Sequence, residues 1–275
     1  MEVKIGDRVD NNGYRGTIKW IGEIPSVNGI WYGVDWDDEN RGKHNGTHNG
    51  IQYFTARNET SGSFVRPSKV NLGMSLEQAI KGRYQDDVTI EEVLTSQLKH
   101  NIKARFVEVV GMEKVGKKQS QLDALQTVVL DGWLVRDGGD TDLGSLLPRL
   151  QDLDLSNTLL SSWEDIAHIT KQLPNLKFIN VSGNELRKPS NPLKLMESTQ
   201  HVTHVVMNKM LTYAWDDLIW CLAMFPFIKK LQLAYNNLES LGPIPPGVFE
   251  HLVDIDLGVN PIGDWSEICH LSKLP

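Results

Sequence analysis

The sequence predicts a multidomain fold, a small all-β barrel followed by an α/β repeat solenoid. Two observations carry that prediction. The first seventy residues set short runs of β-branched and aromatic residues between glycine-rich turns. From residue 125 onward an apolar triplet of the form Leu-x-x-Leu-x-Leu returns six times, its first members 24 to 26 residues apart. A chain of 275 residues has room for both parts. The implied boundaries are 1–72 for the barrel, 73–121 for a linker and cap, and 122–275 for about six repeats.

In the barrel the strand candidates are Gly16-Thr17-Ile18-Lys19-Trp20-Ile21-Gly22, Ile30-Trp31-Tyr32-Gly33-Val34-Asp35-Trp36 and Ser63-Phe64-Val65-Arg66-Pro67. Between the second and third lies a loop, residues 42–54, reading Gly-Lys-His-Asn-Gly-Thr-His-Asn-Gly-Ile-Gln-Tyr-Phe. Its glycines mark backbone that turns tightly or comes close to a ligand. One cation, Lys43, beside main-chain N–H groups and aromatic faces suits a peptide ending in a carboxylate, especially one with a terminal aromatic residue. His44 and His48 are four apart, but Gly46 argues against the helix on which such a pair would hold a metal. They read as loop side chains in polar contacts.

The linker opens with a short helix over Ser75–Tyr84, with Ser75 and Gln78 in capping-box positions. Thr89 and Glu92 form a second such pair, and Arg105–Val110 reads as a strand that would cover the first repeat. Gly111-Met112-Glu113-Lys114-Val115-Gly116-Lys117-Lys118 falls one residue short of a phosphate-binding loop. Lys118 stands where a Ser or Thr hydroxyl would meet magnesium, so the run reads as a solvated basic edge.

The triplets are Leu125/Val128/Leu130, Leu150/Leu153/Leu155, Leu176/Ile179/Val181, Val202/Val205/Met207, Ile228/Leu231/Leu233 and Leu252/Ile255/Leu257. Their period is that of leucine-rich repeats. Three residues after each triplet, Asn184, Asn236 and Asn260 occupy the place from which an Asn side chain can satisfy main-chain groups at a buried turn; Trp133, Thr158 and Met210 stand there in the other copies. Val135, Leu160, Leu186, Leu238 and Ile262 follow as a further apolar position, with Thr212 the exception. Trp163, Trp215 and Trp265 read as helix starts packed on the convex side. Strand alternation sends the intervening residues to the concave face. Those of interest are Phe178, His204, Lys209, Lys230 and Tyr235, a cationic and aromatic patch in a sheet expected to bind protein, with aspartates 131, 152, 154, 254 and 256 towards both ends.

Residues 1–72 carry nine basic and nine acidic side chains, so the net charge of −7 belongs to the remainder. No basic stripe is present, which counts against nucleic acid. No run of eighteen apolar residues and no signal-peptide core occurs, so the expectation is a cytoplasmic protein without membrane insertion. Cys221 and Cys269 are too few for a disulfide framework or zinc site and read as buried hydrophobes. No arrangement of nucleophile, acid–base pair or metal ligands emerges, so neither catalysis nor a cofactor is expected.

Residues 6–70 resemble the CAP-Gly domain family. The resemblance is carried by Gly16-Thr17-Ile18, Trp31-Tyr32-Gly33-Val34, Gly42-Lys43-His44-Asn45-Gly46, Tyr53-Phe54 and Gly62-Ser63-Phe64-Val65-Arg66-Pro67. The family hallmark is Gly-Lys-Asn-Asp-Gly; this chain has His44 and Asn45 at its centre. The resemblance implies a small β-barrel that captures acidic tails ending in Tyr or Phe, notably that of α-tubulin. It places the groove lysine on Lys43, polar loop contacts on His44 and Asn45, aromatic walls on Trp31, Phe54 and Phe64, and the carboxylate-facing arginine on Arg66. The order of barrel and repeats resembles the tubulin-folding cofactor E family. That implies a non-enzymatic, cytoskeleton-associated chaperone with α-tubulin and other tubulin-folding cofactors as partners. The rival within the same class is an adaptor on microtubule ends, against which the lack of a basic tract counts. Leu274-Pro275 matches Leu173-Pro174 just before a strand, so the array is expected to be truncated, its next strand falling at 277.

Overall fold

The computed structural model describes residues 3–25, 27–84 and 122–275. The Thr89/Glu92 pair, the strand expected at 105–110 and the glycine–lysine run at 111–118 lie outside the described residues. The rest falls into two compact units, one reaching Met74 and the other formed by Ser75–Tyr84 with Leu122–Pro275.

In the first unit β1 (Arg8–Asn11), β2 (Tyr14–Ile24), β3 (Val27–Trp36) and β6 (Gly62–Val65) form an antiparallel sheet in the order β1-β2-β3-β6. Asn12 and Gly13, with φ of 54° and 87°, join β1 to β2 in the two-residue turn whose twist matches paired strands. β4 (Thr47–His48) and β5 (Ile51–Gln52) make a small hairpin inside the glycine-rich loop. One sheet face buries Val9, Ile18, Tyr32, Val34 and Trp36, with Ile21 and Val65 packed beside them.

A bulge decides what the other face carries. Ile18 pairs with Val34, but Trp20 pairs with Gly33, so Lys19 and Trp20 together oppose one residue. Without the extra residue Trp20 would share the core face of Ile18; with it, Trp20 points away. Gly33 also faces Phe64, and Trp31 shares the face of Gly33 two residues away. That face thus gathers Trp20, Trp31, Phe64 and, next along the chain, Arg66.

In the second unit six parallel strands lie in strict sequence order: Thr127–Val129, Asp152–Asp154, Phe178–Asn180, His204–Val206, Lys230–Gln232 and Asp254–Asp256. Their register follows the triplet alignment residue for residue. Val128, Leu153, Ile179, Val205, Leu231 and Ile255 form the inward row, while Thr127, Asp152, Phe178, His204, Lys230 and Asp254 form a row facing the opposite way. Asn184 and Asn236 are buried and stitch neighbouring copies together. Asn236 Nδ2 donates to Met207 O at 2.9 Å in the preceding copy and to Leu233 O at 3.0 Å in its own, and its Oδ1 accepts from Met210 N at 2.6 Å. Asn184 and Asn260 bridge their copies in the same way.

Helices begin at Trp163, Trp215 and Trp265. Ser162 caps the first, accepting from Asp165 N at 3.2 Å. Trp163 and Trp215 are buried as expected, but Trp265 is 80% exposed, and Cys269, expected to be buried, is exposed too. Both belong to the sixth copy, whose short helix contains no buried residue. At the other edge, the helix Leu76–Tyr84 buries Leu76, Ala79 and Ile80. Its Tyr84 hydroxyl accepts from Val129 N at 2.9 Å, supplying a partner to a main-chain donor of the edge strand. This helix belongs to the second unit, beside its edge strand Thr127–Val129.

Candidate functional site

The exposed face of the first unit is an aromatic cluster centred on Phe64. Its ring centroid lies 5.0 Å from His44, 5.3 Å from Tyr53, 5.5 Å from Phe54, 5.7 Å from Trp20 and 6.0 Å from His48. All but His44 meet it edge to face, the arrangement the ring quadrupole favours. Phe54 is only 7% exposed and forms the floor. It lies so close to the strand that a Cβ on Gly33 would sit 2.5 Å from its ring. On the same face, the Arg66 guanidinium stacks 3.8 Å from the Trp31 ring and donates to Ile30 O at 3.4 Å. Trp31 Nε1 is buried with no acceptor among the described residues.

The glycine-rich loop is pinned to β6 by main-chain bonds. Lys43 N and His44 N both donate to Gly62 O, at 2.8 and 3.2 Å, and Gly62 N returns a bond to His44 O at 2.7 Å. Glycine is obligatory at 46: its φ is +103°, and a Cβ would lie 1.9 Å from Phe54 O. The loop leaves the Lys43 side chain exposed. Asn45 is engaged locally, Nδ2 donating to Glu59 Oε2 at 3.0 Å and Oδ1 accepting from Thr47 Oγ1 at 2.8 Å.

His44 Nδ1 accepts from Gly46 N at 3.0 Å, which requires the unprotonated nitrogen. Burial of the ring, then the nearby His48, hold the His44 pKa below the ordinary imidazole value of 6.5. The folded state therefore favours neutral His44. The stabilisation is complete above pH 6.5 and is lost as the pH falls through the depressed folded value. Acidification from pH 7.5 to 5 is expected to loosen the loop, seen as faster exchange of the Gly46 amide after correction for intrinsic chemistry. His44→Asn should flatten that dependence; an equal acid response in both proteins would dissociate it from His44.

Sequence reasoning assigned Lys43, His44, Asn45, Trp31, Phe54, Phe64 and Arg66 to this face but missed Trp20, Tyr53 and His48. The bulge at Lys19 concealed Trp20, whereas the aromatic pair at 53–54 already signalled Tyr53.

In the second unit Phe178, His204 and Lys230 are consecutive members of the outward row. With Asp254, Asp256 and Gln232 they line a shallow depression of about 60 Å³. Burial, then Lys230, hold the His204 pKa below its ordinary value, opposed by Asp152 and Asp254. Lys209 and Tyr235 project from the turns that follow, the ammonium 5.8 Å from the ring centroid. Asp154, Asn180 and Asn208 have structural duties instead, accepting from Ser156 N, Ser182 N and Ala234 N respectively. Among the described residues no group of three metal-ligating side chains occurs, and no helix is long and apolar enough to cross a membrane.

Residues 5–70 match the family model of the CAP-Gly domain. Over 276 residues the chain is 37% identical to the tubulin-specific chaperone E of Danio rerio, covering 100% of this chain and 52% of that protein. The human protein of the same name is 36% identical over 272 residues, with 98% and 51% covered. That of Drosophila melanogaster is 33% identical over 277 residues, with 99% and 51% covered. The chain thus spans about half the length of the curated relatives it matches.

Proposed function

From homology to tubulin-specific chaperone E along the whole chain, and a CAP-Gly domain at its N-terminus, we propose that this protein is a non-enzymatic tubulin-folding chaperone. Its partner in this reading is α-tubulin, together with other tubulin-folding cofactors, and its work is the assembly or dissociation of the αβ heterodimer. The CAP-Gly unit captures the acidic, aromatic-ended tail, and the second unit, a leucine-rich-repeat solenoid, holds the tubulin body.

The observation that carries the reading is the aromatic cluster around Phe64, beside half-buried Arg66 stacked on Trp31 and the loop that carries exposed Lys43. Lys43 and Arg66 pair with tail carboxylates, and Trp31, Phe54 and Phe64 enclose the terminal ring, with His44 and Asn45 shaping the loop between them. Phe178, His204, Lys209, Lys230 and Tyr235 contact the body. Joining two modest contacts raises overall affinity through effective concentration.

Lys43→Ala should weaken binding of an acidic peptide ending in Tyr by about tenfold, the loss of one charge-assisted contact. Wild-type binding should also fall as salt rises. A fluorescence-anisotropy titration in which neither change appears excludes Lys43 from the site.

A further inference from the structure

In copies two to five the first member of each triplet is buried, and the residues flanking it form a rim where the chain enters its strands. The main chain there runs in register from copy to copy. Lys177 N donates to Gln151 O at 2.8 Å, Thr203 N to Lys177 O at 2.9 Å and Lys229 N to Thr203 O at 2.7 Å. The flanking positions of these four copies hold Arg149, Lys177, Lys229, His201, Phe227 and three uncharged polar residues. No carboxylate stands among them, although the chain beyond residue 72 carries the whole net negative charge. The neighbouring concave row, by contrast, includes Asp152 and Asp254.

The cations of the rim are open to solvent. Arg149, Lys177 and Lys229 are all exposed. Among the described residues none of the three has an ion-pair partner, whereas Lys188 is held by Asp217. Lys177 Nζ donates to His201 O at 3.3 Å, which leans it towards copy four. Phe227 is 46% exposed although its own copy lies between two others and its ring stacks 5.3 Å from that of His251. An open aromatic ring among unpaired cations adds little to the fold and has the composition of a contact surface.

The spacing favours one kind of partner. Neighbouring strands lie about 4.8 Å apart, so the backbones at Lys177 and Lys229, two strands apart, are separated by about 10 Å. An extended chain covers that distance in about three residues. A nucleic-acid strand fits less well, because its charge recurs at every phosphate and would face Asp152 and Asp254 as well as the lysines. A peptide can space its carboxylates.

We infer that this rim binds an extended acidic segment of a protein partner, with carboxylates against Arg149, Lys177 and Lys229 and an aliphatic side chain on Phe227. Charge complementarity supplies the selectivity, and the ring supplies apolar contact area. The contact is separate from the concave row and from the aromatic cluster of the first unit, and it stands independently of tail capture.

The probe is a fluorescent peptide of glutamates with a single leucine. Its C-terminus is amidated, so it offers the first unit neither a terminal carboxylate nor a terminal aromatic ring. The full chain should bind it, and less tightly as salt rises. Lys177→Glu with Lys229→Glu should lower the affinity roughly tenfold, since attraction becomes repulsion at two exposed positions. Lys177→Arg with Lys229→Arg should preserve it. Phe227→Ser should lower it about threefold while leaving binding of an all-glutamate peptide unchanged. Lys19→Glu with Lys194→Glu makes the same change in net charge outside the rim and should leave the affinity as it was. Absence of binding by the wild-type chain, or an equal loss in the Lys19 and Lys194 variant, overturns the proposal. Tighter binding of a single-stranded oligonucleotide at the same lysines overturns it as well.

Discussion

Replacing Trp163 by alanine should destabilise the repeat unit by about 3–5 kcal/mol, the range for removing a large buried aromatic side chain. The side chain is fully buried, and its ring meets Phe225 edge to face at 6.1 Å. Its Nε1 donates to the Tyr213 hydroxyl at 2.9 Å, and that hydroxyl donates to Leu186 O at 2.7 Å. Trp163 of copy two is thereby tied through Tyr213 of copy four to the main chain of copy three. Tyr213 stands beside Thr212, the one place where the expected apolar residue was missing, and is buried where Thr212 is exposed. Burial pushes the Tyr213 phenol well above its ordinary pKa, so the bonded hydroxyl stays protonated. Trp163→Phe keeps most of the volume but loses the indole donor, and should cost less, about 1–2 kcal/mol. Denaturant unfolding followed by amide exchange in the repeat unit distinguishes the two. Equal, small losses would mean that the cavity closes and the bonded chain contributes nothing.

Gly46→Ala should destabilise the CAP-Gly unit by ~3 kcal/mol or more, since backbone strain and a steric collision act together. The collision is with the Phe54 carbonyl oxygen, main chain that cannot swing aside as a side-chain end would. Gly50, four residues on, provides the comparison: φ is +77° there too, but a Cβ would meet nothing within 4 Å. Gly50→Ala should therefore cost only about 1 kcal/mol, the left-handed penalty by itself. Thermal unfolding with tail-peptide binding as a second readout tests the pair. Similar behaviour of the two variants would show that the Phe54 contact yields.

Much of this architecture was legible because periodicity survives substitution. The triplets gave the strand register residue for residue even where Val or Met replaced Leu, since only alternation and burial were needed. Asn184, Asn236 and Asn260 were legible for a chemical reason, as few side chains can both donate to and accept from the main chain at one turn. The loop at 42–54 announced itself through its glycines, of which Gly46 and Gly50 take a positive φ.

What remained hidden depends on geometry that no pattern encodes. A one-residue bulge moved Trp20 from the core face to the aromatic cluster, reversing the parity on which strand reading rests. Left-handed turns at Lys209, Tyr235 and Val259, with φ of 58°, 61° and 56°, were invisible because the fold, not the residue, demands them. Trp265 and Cys269 have the local sequence of buried positions, yet both are exposed where Trp163 and Cys221 are buried. The helix Leu76–Tyr84 was found from its capping pair, but its place against the first strand follows from Tyr84 reaching Val129.

The strict sequence order of the six parallel strands has a consequence for how this unit is made. Each strand pairs with one about 26 residues away in the chain, so strand pairing never closes a loop longer than one copy. Folding can therefore proceed in the direction of synthesis, each copy docking on the finished edge of the last as it leaves the ribosome. The stitching asparagines set the rhythm of that process. Asn184 and Asn236 complete a turn in the copy before their own, so each newly made copy closes the one that preceded it.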